Sequence, residues 1–574
     1  MKLIGFAARV AILTLFAVVP SFGADPRAVK GPLVTSDNWP RSTDLVSWTS
    51  DVMRIERLEN ASETAQAKAF FEWMRLFSRM AVGGMIQSYE GEYGKERYVT
   101  DAHKQLFVYG WGYCDTTSRI AEAAWKEFKR DPLAAERVCV QHADGGFHTM
   151  YRLRMDGAYG AFDPRYGYYL VEKDSPGARI LDWAEVGRPG SVQLNQAFRN
   201  RSRPFFEIFD QEWVRAQLLQ PVFFESEDAW RAAGAPPESV FADSAYQMGT
   251  KLHDMDFVLP RGTTIERFWD NLIRVFYVPA GKHTQRELPF LPAGRFYRVT
   301  EDSLGGNWVK HDPNYERIRP YLSTIPRGEG YPADLEGGKT IGQAWGKLRY
   351  QPLLAQGDYL DGIAGTPTLV HAKAVPYLRP ARPELGGEAS FEITCPYVLV
   401  DGQLEAELAG ADTRIEMRVQ APKPGGEADA ERWSDWQTLA HGAGTSRTEL
   451  GRPRFNGKDA SIHGAYRFQI RVVVDAAAGR KASPGLTALT LSLFFENGIM
   501  SIPRIQAGTN TIRFRVQDAT ALRAPVTVAY RYATAAGPRE HTRTLQATEF
   551  KDNLASYALD APDLQRCVSM SISY

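Results

Sequence analysis

The 574-residue chain is too long to fold around one hydrophobic core, so several domains are expected. Hydrophobic residues make up 44% and charged residues 24% of the sequence, which is the composition of ordinary globular domains. The 68 basic side chains balance the 68 acidic ones, and this neutrality excludes an overall attraction to nucleic acid or to an anionic membrane surface.

Residues 1–24 have the pattern of a secretory signal peptide. Lys2 and Arg9 precede an apolar stretch, VAILTLFAVV, and Ser21 and Gly23 form a small-x-small cleavage site. The apolar run of about 14 residues is short for a membrane span, which needs roughly 20, so cleavage is favoured over an uncleaved anchor. We expect a secreted or periplasmic protein with no membrane span after cleavage.

Residues 40–130 carry helical periodicity. Ser62 is a candidate N-cap for the segment SETAQAKAFFEWMRLFSRM, and a second helical segment, TTSRIAEAAWKEF, begins just after Cys114. The first segment places large apolar side chains on one face, which we expect to be buried: Phe70, Trp73, Met74, Phe77 and Met80.

Residues 137–171 change to the alternation of β-strands, in the segments RVCVQH, FHTMYRLRM, YGAFDP and YGYYLV. The sequence MDGA predicts a hairpin in which Asp156 and Gly157 are the two turn residues, so that Met155 faces Ala158. Helices followed by an antiparallel sheet indicate an α+β domain.

From about residue 245 the chain is mostly β. MDFVLPRGTTIERFWDN predicts two strands joined by a turn, and residues 280–365 show little periodicity. A helical piece is expected near QEWVRAQLL and an exposed loop at PKPGGEADAE. Short alternating strands predict two β-sandwiches at the C-terminal end. The predicted domains are a signal peptide (1–24), an α+β domain (25–175), a mixed and then β-rich middle region (176–366), and the sandwiches (367–495 and 496–574).

The four cysteines are too few to stabilise an exported chain of this length as a disulfide framework. Cys114–Cys139 and Cys395–Cys567 remain open as pairs. Cys139 is most simply a buried apolar residue of its strand.

Cys114 has the surroundings that a nucleophilic thiol needs. A helix starting at residues 115–118 puts it at a helix N-terminus, where free N–H groups favour a thiolate and can stabilise an oxyanion. In the predicted hairpin register, His148 and Asp163 are diagonal neighbours on one sheet face, about 7–8 Å apart at the backbone. An odd-length loop would put them on opposite faces.

GWGYCDTTSRIAEAAW and GGFHTMYRLRMDGAYGAFDP resemble the transglutaminase-like superfamily, whose fold is papain-like. The family pattern is Gly-x-Gly-x-Cys opening a helix, a His at the start of a strand and Asp-Pro after a hairpin. Across roughly residues 40–175 the matching positions are Gly110, Gly112, Cys114, His148, Asp163 and Pro164. The resemblance implies a papain-like α+β domain followed by a mainly-β region.

The resemblance also implies residue roles. Cys114 is the nucleophile, His148 the general base and acid, and Asp163 the carboxylate that orients His148. The Cys114 backbone N–H is one oxyanion donor, with Gln105 and Tyr113 as candidate side-chain donors. HTMYR replaces the aromatic residue and Asn-Glu that follow the His in many relatives, so the acceptor pocket is not predicted.

We therefore expect an exported cysteine enzyme acting on peptide or protein amides, on a polymer or cell surface, through a thioester. Hydrolysis is favoured over transamidation, and no cofactor is expected. The alternatives are a polysaccharide-active or carbohydrate-binding protein, and a non-catalytic scaffold with an inert triad.

Other polar and aromatic groups receive simpler interpretations. His142, Asp144 and His148 lack a recognised metal-ligand spacing, so no metal site is expected. Trp433 and Trp436 could stack on sugars, but a sandwich core and a strand end are favoured. Six further charged residues are expected on solvated surfaces: Glu207, Asp210, Glu212, Arg261, Glu266 and Arg267.

Overall fold

The computed structural model describes residues 28–80, 101–112, 114–141, 147–164, 168–171, 178–182, 193–194, 222–223, 253–255, 257–269, 272–278, 295–300, 339–421, 432–451 and 461–574. Within these ranges strands are far more numerous than helices, and they assemble into several sheets. The prediction of a β-rich, multidomain architecture is confirmed at this level. The segments 211–219 and 422–431, expected to be a helix and a loop, lie outside the described ranges.

The N-terminal part contains the long helices. In chain order its elements are β1 (Val29–Lys30), β2 (Leu33–Ser36), α1 (Leu45–Ile55), α2 (Glu63–Phe77), β3 (Arg79–Met80), a π-helix (Lys104–Tyr109), β4 (Trp111–Gly112), α3 (Cys114–Lys129), β5 (Ala135–Gln141), β6 (Phe147–Met155), β7 (Ala158–Asp163), β8 (Tyr168–Val171), β9 (Gln193–Leu194) and β10 (Val222–Phe223). The last six strands form one sheet in the order β10-β5-β6-β7-β8-β9.

Helix α2 begins where the sequence predicts. The Ser62 hydroxyl accepts a hydrogen bond from the backbone N–H of Ala65 at 3.3 Å, which satisfies one of the donors at the helix start. Four of the five predicted face residues are buried: Phe70, Trp73, Met74 and Phe77. The Met80 side chain is not among those described.

Aromatic side chains join the helices to the sheet. Phe70 of α2 lies 5.0 Å, between ring centroids, from Trp125 of α3. Phe71 contacts Phe162 at 5.2 Å and Tyr151 at 6.4 Å, on the neighbouring strands β7 and β6. Helix α2 therefore packs on the sheet face that carries Tyr151 and Phe162.

The β6–β7 hairpin has the predicted turn and register. Asp156 (φ 50°) and Gly157 (φ 86°) both adopt positive φ, as a type I′ turn requires. Met155 pairs with Ala158, and the pairing continues without a bulge to Tyr151 and Phe162.

The remaining elements are strands and short 3₁₀ turns. The strands are β11 (Val258–Leu259), β12 (Thr263–Phe268), β13 (Ile273–Val278), β14 (Arg295–Thr300), β15 (Lys339–Ala344), β16 (Gly346–Tyr350), β17 (Ile363–Ala364), β18 (Leu369–His371), β19 (Leu378–Pro380), β20 (Gly387–Ala409), β21 (Thr413–Ala421), β22 (Arg432–Trp433), β23 (Gln437–His441), β24 (Gly444–Glu449), β25 (Ala465–Val474), β26 (Gly485–Glu496), β27 (Gly508–Arg515), β28 (Val526–Thr534), β29 (Gly537–Leu545), β30 (Leu554–Ala561) and β31 (Leu564–Ser573). The 3₁₀ turns are Leu360–Gly362, Ile499–Ser501, Ala519–Ala521 and Ala547–Glu549. Strands β14 to β17 lie in residues 280–365, where the sequence showed little periodicity.

Strand pairing joins segments that the sequence assigned to different domains. The largest sheet follows the order β22-β21-β25-β20-β26-β16-β12-β31-β28-β29, so β16 and β12 of the middle region lie between strands of the two predicted sandwiches. Strand β2, near the N-terminus, pairs with β27, with Val34 opposite Phe514. The domain boundaries themselves stay a prediction.

No helix in the described ranges is both long and apolar enough to cross a membrane.

Candidate functional site

Cys114 is the first residue of α3, as the sequence predicts, and its side chain is partly buried. The π-helix that precedes it ends at Gly110, whose N–H donates to the Gln105 carbonyl at 2.9 Å. The chain then pairs β4 in parallel with β3, so that Trp111 lies opposite Arg79. Backbone hydrogen bonds thus hold the segment that immediately precedes Cys114.

Gly110 allows a close approach of two backbones. It adopts φ +67°, and a Cβ added there would lie 3.1 Å from the Gly498 Cα and 3.3 Å from the Phe77 carbonyl oxygen. Such contacts and the left-handed conformation both disfavour any residue with a side chain. The first glycine of the predicted motif is therefore explained by backbone packing.

The hydroxyl of Ser118 connects the helix start to strand β6. It donates to the carbonyl of Cys114 at 2.7 Å and lies 3.3 Å from the carbonyl of Thr149. The two carbonyl oxygens are consequently at most about 6 Å apart. Because Thr149 directly follows His148, the first turn of α3 lies beside the start of β6.

A second pair of hydroxyls ties α2 to the same turn. Ser78, the C-cap of α2, and Thr117 are both buried, and their hydroxyl oxygens are 2.8 Å apart. These hydroxyl groups were not among the candidate residues predicted from the sequence. The signal for them is the run DTTS after Cys114, since consecutive short polar residues on a buried helix turn need internal partners.

A buried ion cluster follows Cys114 directly. Asp115 lies 3.1 Å from Arg119 and 3.3 Å from Arg137 of β5. Burial raises the pKa of the Asp115 carboxyl, and the two guanidinium groups oppose that rise. The two arginines also offset the negative charge of Asp115 next to the Cys114 thiol.

His148 is the second residue of β6 and pairs with Val140 of β5. The hairpin register puts position 148 and position 163 on the same sheet face, as predicted. The side chain of His148 is outside the described side chains. Asp163 is the last residue of β7 and is fully buried.

The opposite face of this sheet carries Tyr151. Its partner on β5 is Arg137, whose guanidinium donates a hydrogen bond to the Asp115 carboxylate of α3. Positions 148 and 163 therefore do not face the body of α3. The end of the sheet where β6 begins lies beside the first turn of the helix.

Charged groups surround Tyr151 in the sheet. Burial raises the pKa of its hydroxyl well above the usual value, Arg75 opposes this rise and Asp163 adds to it. Arg75 and Asp163 are both almost completely buried, so the Asp163 carboxylate belongs to a charged interior.

Of the two candidate oxyanion donors, Gln105 lies within the described residues. It is a buried residue of the π-helix, and its backbone N–H donates to the Asp101 carbonyl at 3.0 Å. Tyr113 lies outside the described residues, as do His142 and Asp144.

The β region contacts the segment that leads to Cys114. The Gly498 N–H donates to the Phe107 carbonyl at 3.0 Å, and the backbone N–H of His253 donates to the Asp101 carboxylate at 2.5 Å. The His253 ring lies 2.8 Å from the carbonyl of Pro396 in β20. The position of the π-helix thus depends on the sheet as well as on its own domain.

Cys114, Cys395 and Cys567 are thiols, so neither disulfide left open by the sequence is formed. Cys395 and Cys567 lie on β20 and β31, which are not neighbours in the sheet. Burial raises the pKa of the Cys395 thiol to about 12. The side chain of Cys139 is not described.

The expectation of surface charges is wrong for Arg261, which is 9% exposed and pairs with Asp358 at 3.0 Å and Asp361 at 3.3 Å. Glu266 is partly buried and accepts a hydrogen bond from Ser569 at 2.7 Å. The periodicity around a turn does not reveal such partners, because they come from distant sequence. Glu207, Asp210 and Glu212 are outside the described ranges.

Trp433 and Trp436 lie half-buried on the polar face of the sheet, not in the sandwich core. The guanidinium carbon of Arg418 is 4.7 Å from one indole centroid and 4.5 Å from the other. Arg467 lies over Trp433 at 5.4 Å and Arg471 over Trp436 at 4.1 Å. Each indole thus has two guanidinium groups within cation–π distance of its ring.

Comparisons with known proteins do not assign the chain. No family model matches it. The search of curated proteins also gives no match.

The solved structures with partial similarity to the chain include three glycosidases. The β-glucuronidase of Bacteroides uniformis is 11% identical, over 30% of this chain and 21% of that chain, with a TM-score of 0.11. A glycosyl hydrolase family 2 member from Bacteroides cellulosilyticus is 8% identical, over 54% and 31%, with a TM-score of 0.12. The glycoside hydrolase domain of Endo-D from Streptococcus pneumoniae is 11% identical, over 40% and 34%, with a TM-score of 0.13. The chain thus spans about a third or less of each of these proteins, and at these TM-scores the similarity carries no argument about its fold or activity.

Proposed function

We propose that the chain is an exported, secreted or periplasmic cysteine enzyme of transglutaminase-like, papain-like type that hydrolyses an amide bond of a peptide or protein. The observation that carries the proposal is the Ser118 hydroxyl between the carbonyls of Cys114 and Thr149. It supports a site in which a helix-terminal thiol lies beside the start of the strand that carries the predicted base.

In the proposed reaction the Cys114 thiolate attacks the amide carbonyl carbon and forms a tetrahedral oxyanion. Backbone N–H groups at the start of α3 stabilise this charge. The His148 imidazolium gives its proton to the nitrogen as the carbon–nitrogen bond breaks, which releases an amine and leaves a thioester. Asp163 orients the His148 ring.

Water resolves the thioester. His148 takes a proton from the attacking water, the carbon–sulfur bond breaks, and the products are a carboxylic acid and the regenerated thiolate. An amine in place of water would give transamidation from the same intermediate. Hydrolysis is the simpler proposal, because water can resolve the thioester without a binding site for an amine acceptor.

Thiol reactivity tests this proposal without a known substrate. We expect iodoacetamide to label Cys114 at pH 6–7 faster in the native protein than in the denatured protein, and His148→Ala to abolish the difference. Mass spectrometry of the labelled peptides reads out each cysteine separately. Buried Cys395, whose pKa is about 12, is an internal control that should label only after unfolding.

His441→Ala is the matched control, because His441 is exposed at the end of β23 in the C-terminal part of the chain. This variant should keep the rate of the parent protein. Equal labelling of Cys114 in native and denatured protein would instead favour the scaffold alternative. Turnover of a glycan that survives Cys114→Ala would favour the carbohydrate-active alternative.

A further inference from the structure

A groove between the N-terminal segment and the largest sheet has a shape and a wall that suit a small organic ligand. It lies between β2 with the turn after Trp39 on one side and β12 with β31 on the other. The empty space within it, including the part open to solvent, is about 630 Å³. The apolar wall contains Met255, Phe257, Ile265, Pro503, Met570 and Ile572. Ligand sites commonly combine apolar side chains of this kind with a few placed polar groups.

The main polar group of the groove is the guanidinium of Arg267, which the sequence analysis expected at the surface. Its Nη1 donates to the Tyr397 hydroxyl at 2.5 Å and to the Ser501 carbonyl at 3.5 Å. The Tyr397 ring is buried and stacked on Phe495 at 5.0 Å, so packing holds the hydroxyl that accepts from Arg267. One end of the guanidinium is therefore held by the protein.

The other edge of Arg267 remains available. Within the described residues, Nε and Nη2 make no hydrogen bond, and the side chain forms no ion pair with a carboxylate. These two nitrogens form the edge that can give two parallel hydrogen bonds to a carboxylate. The hydrogen bonds of Nη1 hold the guanidinium in place and leave its Nε–Nη2 edge for a carboxylate.

The rest of the groove contributes further polar groups. Arg41 also lines it, and its guanidinium lies 2.7 and 3.3 Å from the Asp51 carboxylate, which also contacts Arg54 at 3.4 Å. Ser42 contributes a buried hydroxyl that has no hydrogen-bond partner in the described part of the chain. The open guanidinium edge of Arg267 and this unused hydroxyl match the two acceptor oxygens of a carboxylate.

We propose that this groove binds an organic monocarboxylate with an apolar body. The carboxylate accepts two hydrogen bonds from the Nε–Nη2 edge of Arg267 and one from the Ser42 hydroxyl. The body of the ligand packs on the wall formed by residues such as Met255 and Phe257. A free aliphatic or aromatic acid and the C-terminal carboxylate of a peptide share this chemistry.

Calorimetric titration of the full mature chain tests the proposal. The probes are octanoate and octanamide, and N-acetyl-Leu-Phe with a free or an amidated C-terminus. We expect at least one acid to bind about tenfold or more tightly than its own amide, because only the acid forms the charged bidentate pair. This comparison uses the unaltered protein and so does not depend on the folding of any variant.

The variants place the interaction on Arg267. Arg267→Gln should weaken the binding acid about tenfold or more, and Arg267→Lys, which keeps the charge but not the fork, should be intermediate. Arg447→Gln, in exposed β24, is the matched control and should not change binding. Binding of octanoate alone identifies a free acid, and binding of the peptide acid alone identifies a peptide C-terminus. Equal affinity for acids and amides, no binding of either acid, or unchanged binding by Arg267→Gln in a protein with normal thermal unfolding overturns the proposal.

Discussion

At the scale of single residues, the short hydroxyl side chains around Cys114 determine how the proposed nucleophile is positioned. Ser118 holds the carbonyl of the first helical residue and reaches the carbonyl that follows the predicted base. Ser78 and Thr117 connect the same turn to α2. These hydroxyl groups take no part in the proposed reaction, but they fix the positions of α3 and β6, which carry the proposed nucleophile and base.

Ser118→Ala tests this positioning. The change leaves the Thr149 carbonyl without the hydroxyl, and we expect a loss of about 1–2 kcal/mol in the free energy of unfolding. It should also lower the labelling rate of native Cys114, because the helix start is no longer linked to β6. Urea unfolding and iodoacetamide labelling measure the two effects.

Ser556→Ala is the control for this change, since Ser556 is exposed on β30. This change should alter the free energy of unfolding by no more than about 0.5 kcal/mol and should leave the labelling rate of Cys114 unchanged. A Ser118→Ala protein with the stability and the labelling rate of the parent would show that the bridge does not position Cys114.

The sequence was sufficient to predict positions along the chain but not polar partners. It placed Cys114 at a helix start and Ser62 at an N-cap, because both patterns are local. It did not predict that Arg261 pairs with Asp361, since the two residues are 100 positions apart. Interactions across that separation depend on the tertiary fold.

At the scale of elements, the hairpin and the glycine loop show what local rules can and cannot determine. Asp156 and Gly157 define a two-residue turn, and that turn alone determines the register of β6 and β7. Gly110 also has a local signature, but its packing partner, Gly498, comes from the other end of the chain. Part of the candidate site therefore lies beyond the 25–175 region that the sequence identified.

Gly110 is constrained both by its left-handed φ and by close backbone contacts, and three glycine substitutions separate these two constraints. Gly157→Ala adds a side chain at positive φ in open space and should cost about 1–2 kcal/mol of stability. Gly498→Ala adds one at ordinary φ but 3.2 Å from the Phe107 carbonyl oxygen. Gly110→Ala meets both constraints and should be the most destabilising of the three.

Urea unfolding gives the order of the three variants, and labelling of Cys114 reports on the site. Gly110→Ala and Gly498→Ala should both slow labelling, because each moves the segment before α3, whereas Gly157→Ala should not. If Gly110→Ala costs no more than Gly157→Ala, the contact with Gly498 is not a constraint.

At the scale of the whole molecule, the N- and C-terminal parts are built into one another. Strand β2 pairs with β27, and the Trp39 indole N–H donates to the Met500 carbonyl at 2.6 Å. Alternating hydrophobicity predicted the individual strands but not their neighbours, because every strand with one apolar face has the same pattern. The order of the largest sheet was for this reason not predictable from the sequence.

This connection makes a prediction about the isolated N-terminal region. Residues 25–175 expressed alone lose the β27 partner of β2, the acceptor for Trp39 and the Gly498 contact with the π-helix. An unpaired strand and uncovered apolar surface are then left behind, so we expect no cooperative thermal unfolding and no enhanced labelling of Cys114.

The full chain carrying Trp39→Phe is the matched control, because it removes one hydrogen bond, worth about 1 kcal/mol, and keeps an aromatic ring against Trp73 and Phe77. It should unfold cooperatively with slightly reduced stability. A cooperative transition and parental labelling in the isolated region would mean that the candidate site is complete without the β region.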